Sequence, residues 1–448
     1  MAKPKVRYEC SSCGSITPSW SGKCSSCGEW NTLHEHIDIT KDSVIKHGKS
    51  LSMMPIAEAI KKSANNVRLK SGDKQLDAVL GGGFVKGSVV LLAGQPGIGK
   101  STLLMQTANM LAVKYKVLYI SGEESVHQVA SRANRLGSKD TSLDLASSTR
   151  AEDIAKTISS SEHDVVVVDS IQTITTDALA SSAGTVSQIT NSTNILTVAA
   201  KFSNTALVMV GHVTKDGSIA GPKVLEHSVD TVLQLEGDRY GGFKILRTVK
   251  NRFGSTNETA IYEMDSSGMK EVKNASAALL AERQIVDGSV VLATMEGSRP
   301  LLVEIQALVN KTSYGYPKRT SSGFDLNRLN LLTAMLERRT KLVLGDKDIY
   351  INIVGGINVT EPAADLAVAM AIGSAAKGLK LSNNAVVFGE LGLSGEIRHV
   401  PFVEKRIAEA KKLGFNESIG PKTKSLKASG FNSVITIRDA LNSFLEKK

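Results

Sequence analysis

Residues 91–102 read Leu-Leu-Ala-Gly-Gln-Pro-Gly-Ile-Gly-Lys-Ser-Thr, with Gly94, Gly99, Lys100 and Ser101 in the register of the phosphate-binding pattern G-x-x-x-x-G-K-[ST]. Nothing else in the chain limits the fold as strongly, because this loop works only between a strand and a helix. Glycines let the backbone curl until its N–H groups point at phosphate oxygens, while Lys100 adds a point charge and Ser101 a hydroxyl for Mg²⁺. The expected contacts are Gly94, Gln95, Pro96, Gly97, Ile98, Gly99, Lys100, Ser101 and Thr102, and the expected ligands are a nucleoside triphosphate and Mg²⁺. Val89–Leu92 supplies an apolar strand before the loop, and Ser101–Ala112 a helix whose dipole favours the anion. The competing reading is a glycine turn that binds nothing.

A chain of 448 residues has room for two or three domains. No apolar run approaches the roughly 18 residues of a membrane span, and Met1-Ala-Lys-Pro-Lys lacks the apolar core of a secretory signal, so we expect a cytoplasmic protein with reduced thiols and no membrane partner. The net charge of +10 is compatible with nucleic acid, and equally with a solvated lysine-rich surface.

All four cysteines lie in two knuckles, Cys10-x-x-Cys13-Gly14 and Cys24-x-x-Cys27-Gly28, a spacing that lets four thiolates surround one structural Zn²⁺. Disulfides and a redox pair are the alternatives. Trp20 and Trp30 stand in or beside this module, either packed over its small core or free to stack on bases; we favour packing. We read 1–33 as the zinc module, 34–66 as a polar linker, with His34, His36 and His47 exposed, 67–273 as a nucleotide domain and 274–448 as a second α/β domain.

Val117–Ser121 reads as a strand followed by Gly122-Glu123-Glu124-Ser125. A carboxylate there can reach the water that attacks a γ-phosphate, and we assign this role to Glu123; alternatively both glutamates begin a helix and favour its dipole. Val165–Val168 is an all-valine run suited to a strand buried on both faces, and Asp169 at its carboxyl end can hold the Mg²⁺ hydration shell opposite Ser101. Strands and helices alternate from Val89 to Gly211, which argues for a doubly wound α/β core.

The succession GQPGIGKST, YISGEES, VVVVDS, GHVTKDGSIAGPKVLEH and KNRFG (Lys250–Gly254) resembles the RecA-type ATPase core, and with the cysteine module ahead of it is similar to the bacterial DNA repair family RadA, also called Sms. The resemblance covers nearly the whole chain. It implies a RecA-like P-loop core with a parallel-rich sheet, behind a zinc ribbon-like module and before a Lon protease-like α/β domain. It further implies an ATP-dependent, helicase-like motor in recombination and repair, a homo-hexamer, single-stranded or branched DNA as substrate and the recombinase RecA as partner. Carried onto this sequence, it places phosphate contacts at Lys100 and Ser101, the water-activating acid at Glu123 and metal support at Asp169. Lys250 and Arg252, on one face of an extended segment, become candidates for stabilising transition-state charge in the neighbouring subunit's site, where residue chemistry alone would suggest a surface ion pair.

Two loops, Asp177–Ser187 and Val213–Lys223, are candidate DNA contacts; where the family continues the first with Gln-Val-Arg-Glu, this chain has Gln188-Ile189-Thr190-Asn191. In the second domain the resemblance is to Lon proteases, whose Ser–Lys dyad is missing its serine: Ala363 stands in that place, with Glu404 or Lys405 at the lysine position. We therefore expect no proteolysis, and a fold kept for assembly and DNA binding, with Lys311, Lys318, Arg319 and Arg328 around Tyr314–Pro317 as possible DNA contacts.

Overall fold

The computed structural model describes residues 7–36, 53–58, 68–138, 142–160, 162–212, 224–237, 242–313, 315–423 and 429–446. Met1–Asn65 and Asn66–Lys448 form separate bodies.

In the first body, β1 (Arg7–Cys10) pairs antiparallel with β2 (Ile16–Thr17) and β3 (Leu33–His36). The expected linker therefore starts too early: Leu33 is buried beside Cys10 and Cys24, and its strand continues through His36. Burying one leucine in so small a core outweighs the polar composition that made this stretch read as loop. Trp20 and Trp30 are 59% and 68% exposed, which corrects the reading that they pack over the metal core.

The second body opens with α1 (Lys74–Val79) and then alternates: β4 (Val89–Gly94), α2 (Lys100–Ala112), β5 (Val117–Ser121), α3 (Val126–Arg135), β6 (Leu143–Ser147), α4 (Ala151–Ser160), β7 (Val165–Asp169), α5 (Val186–Ser203), β8 (Ala206–His212), α6 (Val224–Ser228) and β9 (Thr231–Gly237). Antiparallel strands β10 (Phe243–Asn251), β11 (Thr259–Asp265) and β12 (Gly268–Glu271) complete a sheet in the order β12-β11-β10-β9-β4-β8-β7-β5-β6. The run from β9 to β6 is parallel throughout. Period-two alternation sorts its side chains. Val90, Leu92, Val165 and Val167 pack under α2 and α3, whereas Val89, Leu91, Val166 and Val168 pack under α4 and α5. Both faces are covered, which is why these strands are continuous apolar runs.

After α7 (Ala275–Leu280), the strands β13 (Ser289–Glu296), β14 (Arg299–Lys311), β15 (Arg319–Ser322), β16 (Lys347–Ile353), β17 (Ala385–Val387), β18 (Glu417–Pro421) and β19 (Phe431–Val434) form a mixed sheet in the order β15-β16-β14-β13-β17-β18-β19. Helices α8 (Leu326–Thr340), α9 (Asp365–Lys377), α10 (Val403–Lys412) and α11 (Ile437–Phe444) accompany it. Helix α9 is buried on nearly every side, from Asp365 to Ser374, so its alanine-rich sequence reflects close packing. Ile245 and Ile261 of the first sheet share this second core, so the two sheets are joined by apolar packing.

Candidate nucleotide and metal sites

Parallel pairing puts the carboxyl ends of β4, β5, β7 and β8 along one edge, with Gly94 opposite His212 and Ser121 opposite Asp169. In open α/β sheets this edge is where ligands bind. Gly99 is the N-cap of α2 in the left-handed conformation, φ 111°, and no side chain caps the helix. The first-turn N–H groups are thus left for an anion, the arrangement a phosphate requires. Gly97 has φ 78°, a conformation that penalises any Cβ. A Cβ on Gly99 would come within 2.5 Å of the Cε atoms of both Met264 and Met269, so the β11–β12 hairpin packs on the loop. No local pattern in the sequence marks those methionines.

Lys100 is 4% exposed, and its Nζ donates to the carbonyls of Gly94 (2.9 Å) and Gln95 (3.0 Å) and lies 3.1 Å from Nδ1 of His212. Burial lowers its pKa to about 8 against the opposing pull of Asp169 and Glu123. His212 lies 3.9 Å from Oε1 of Glu123 through Nε2, and burial followed by the Lys100 charge pushes its pKa down, leaving Nδ1 an acceptor for Lys100. The sequence reading missed His212, whose only mark is that it closes an apolar strand.

The two glutamates separate cleanly. Helix α3 starts only at Val126, behind a capping box in which Ser125 and Gln128 satisfy each other's backbone groups, so neither glutamate is in the helix. Glu124 is held by Arg132 (Nη1–Oε2, 2.8 Å), whereas Glu123 is half-exposed at the site and accepts from Ser170 Oγ at 2.6 Å. Asp169 is 8% exposed; its Oδ2 accepts from Tyr119 at 2.5 Å, and no hydrogen bond reaches its Oδ1 from the described residues. An uncapped helix start, a lysine, a hydroxyl at Ser101 and a carboxylate with one free oxygen fit a nucleoside triphosphate with Mg²⁺. When bound, the ion would be supported by Ser101 and Asp169 and would supply Lewis-acid chemistry to the phosphates.

Lys250 and Arg252 are elsewhere. Lys250 Nζ donates to the carbonyls of Glu226 (2.5 Å) and Val229 (2.8 Å), and Arg252 Nη1 to Asp230 Oδ1 at 3.2 Å. Asp230 Oδ2 in turn accepts from Val89 N, at the start of β4, so both cations stand at the opposite edge from their own phosphate loop. Five residue steps separate Val89 from Gly94, roughly 16 Å at the rise of a strand. Within one chain Arg252 is in an ion pair, with the buried Asp230 rather than with a surface carboxylate. The motif also meets the turn before β4: a Cβ on Gly81 would lie 2.9 Å from Gly254 Cα, a contact between two glycine stretches that neither reveals alone.

Of the candidate DNA loops, Asp177–Ser187 ends in helix, since α5 begins at Val186. Gln188 is 1% exposed and ties the loop down, accepting from Thr176 N at 2.8 Å and donating to Ser181 O at 2.8 Å. Thr190 is half-buried and Asn191 exposed, its amide donating to Ser187 O. Loop Val213–Lys223 lies outside the described residues, as do Tyr314 and His47. Arg328 leaves the DNA reading, because Asp365, fully buried, holds it in a two-point ion pair.

At the protease-like position, Ala363 is 2% exposed. Glu404 and Lys405 are both exposed, and Lys405 donates to Ser298 O. The residue that points inward is Arg406, fully buried, donating to both carboxylate oxygens of Glu361 at 2.9 and 2.7 Å. An ion pair thus occupies the neighbourhood where a Ser–Lys dyad would work, and the sequence register missed it by one residue.

In the small body, the sulfurs of Cys10, Cys13, Cys24 and Cys27 all lie within 4.8 Å of one another, with Cys10–Cys27 and Cys13–Cys24 at 3.7 Å. A tetrahedron with Zn–S bonds of about 2.3 Å has edges of about 3.8 Å. Gly14 and Gly28 take φ 72° and 78°, and their N–H groups bond back to Cys10 O and Cys24 O, so the knuckles are repeats of one turn. Donor set and geometry fit Zn²⁺, with no disulfide among the cysteines.

Three family models match separate parts: the KaiC ATPase over residues 69–276, a rubredoxin metal-binding domain over 8–35 and subunit ChlI of Mg-chelatase over 333–424. Proteins described as DNA repair protein RadA are similar over nearly the full length. That of Aquifex aeolicus is 46% identical over 430 residues, 96% of each chain. Those of Pseudomonas aeruginosa and Bacillus subtilis are each 46% identical, covering 94% of this chain and 94% and 93% of theirs. The architecture is accordingly a RecA-like ATPase core between a zinc ribbon and a Lon protease-like domain. No helix among the described residues is long and apolar enough to cross a membrane.

Proposed function

Because the chain belongs to the RadA family of DNA repair proteins, we propose that it is an ATP-driven motor that moves along single-stranded DNA and remodels branched recombination intermediates. The observation that carries this reading is the division of the site: Lys100, Ser101, Glu123 and Asp169 belong to one sheet edge, Lys250 and Arg252 to the other. Neither half suffices for a rapid hydrolase. Stacked head to tail in a ring, the Arg252 edge of one subunit would complete the phosphate edge of the next, and hydrolysis would then report on assembly. Glu123 activates the water, and Asp169 with Ser101 supports Mg²⁺. RecA and DNA are the partners we assign, and Ala363, in the serine's place beside the buried Arg406–Glu361 pair, has no hydroxyl to serve a Ser–Lys dyad.

A nucleotide-gated scaffold that recruits a recombinase without translocating is the second reading, favoured by the scarcity of free cations in the first loop. Directional unwinding of a forked substrate separates the two. ATP-dependent strand displacement with one polarity, abolished by Lys100→Ala, is the expected result. DNA-stimulated hydrolysis without any displacement or branch migration would establish the scaffold instead.

A further inference from the structure

Tyr119 is fully buried in the middle of β5, where an apolar side chain would pack without cost, yet it carries a hydroxyl. That hydroxyl donates to Asp169 Oδ2 at 2.5 Å. The register explains the meeting, because Tyr119 pairs with Val167 and Ser121 with Asp169, which puts Tyr119 and Asp169 on the same face of adjacent strands, one diagonal apart. From α3, Arg132 Nη2 donates to the same hydroxyl at 3.2 Å and lies 3.8 Å from Oδ2, while its guanidinium sits 5.9 Å from the Tyr119 ring centre. Its other terminal nitrogen holds Glu124.

We propose that Tyr119 and Arg132 form a clamp that pins Oδ2 of Asp169 and so presents Oδ1 to the Mg²⁺ of bound nucleotide. Both are positioning residues and touch neither nucleotide nor metal. The torsion that turns a carboxylate is broad, so a carboxylate without the clamp samples orientations in which neither oxygen faces the ion. One hydrogen bond to Oδ2 removes that freedom, and Arg132 keeps the hydroxyl aimed while offsetting the charge that Asp169 and Glu124 bring together. The same arginine also ties the Glu123-Glu124 turn to the metal side of the site.

The inference rests on Asp169 as the Mg²⁺ support, and the test separates the two. In the full-length protein, Mg²⁺ is titrated against a fluorescent ADP analogue, and bound Mn²⁺ is counted by electron paramagnetic resonance. Tyr119→Phe removes only the oxygen; it should raise half-saturating Mg²⁺ about tenfold, the scale of one hydrogen bond to a charged group, while nucleotide affinity in EDTA stays unchanged. Arg132→Gln should shift it in the same direction by less, and serves alone if the phenylalanine variant does not fold. Asp169→Asn is the control for the underlying reading. If it raises the Mg²⁺ requirement and the clamp variants do not, the clamp is wrong and Asp169 stands; if Asp169→Asn leaves the requirement unchanged, both fall.

Discussion

Lys100 and Glu123 stand at the same sheet edge in different settings, the lysine buried and the glutamate half-exposed. Burial brings the Lys100 ammonium down to about 8 in the nucleotide-free chain. Because a base with a lowered pKa keeps its charge only below that value, the free protein carries the phosphate-binding cation at pH 7 and loses it as pH rises past 8. Affinity for an ADP analogue should therefore be level from pH 6.5 to about 7.5 and fall by up to tenfold per unit above 8; a flat profile to pH 9.5 would contradict the buried lysine. Glu123→Gln should separate binding from chemistry. It keeps the size of the side chain and an oxygen for Ser170 but cannot take a proton, so nucleotide affinity should stay within about twofold while turnover drops by about 10² or more. Equal loss of both would make Glu123 a binding residue.

At the scale of elements, the four-cysteine module is expected to be stable only as a metal complex. Among its described residues the buried hydrophobic cluster is Cys10, Cys24 and Leu33, far too little apolar surface to offset chain entropy. Cys24→Ser should lose the equivalent of Zn²⁺ measured by elemental analysis and expose the module to protease, while the ATPase sheet, a separate body, keeps its thermal transition. A variant that retains stoichiometric zinc would remove Cys24 from the ligand set. Helix α2 makes the contrasting case: it has no side-chain cap, and on the proposed reading the nucleotide's phosphates would serve as one.

The molecule as a whole separates the phosphate loop from Arg252 by the length of β4, which forbids a finger within one chain and invites one between chains. Arg252→Ala and Lys100→Ala proteins, each inactive, should recover part of the ATPase activity on mixing, since some mixed interfaces pair an intact loop with an intact arginine. Arg252→Ala retaining full turnover by itself would rule the shared site out, and so would a failure to recover activity at every mixing ratio while subunits demonstrably exchange. Lys250 is expected to behave differently: its ammonium satisfies the carbonyls closing α6, so Lys250→Ala should lower thermal stability as well as activity.

Gly94–Thr102, the four cysteines and the strand ends at Glu123 and Asp169 were legible in the chain because each is a local device, in which spacing alone brings the chemistry together. Strand and helix periodicity likewise carried the doubly wound α/β core and the second α/β domain, while the likeness of that core to RecA rested on the succession of motifs. What tertiary structure decided are the contacts whose partners are far apart in sequence. Arg132 claims Glu124 and leaves Glu123 to the site; His212 at the end of β8 meets Lys100 at the start of α2; Met264 and Met269 close on Gly99 from a hairpin more than 150 residues away; Arg406 reaches Glu361 where the sequence offered only Glu404 or Lys405. Pairing register and packing determine such contacts, and neither leaves a trace in a local pattern, because each depends on which strand lies next to which.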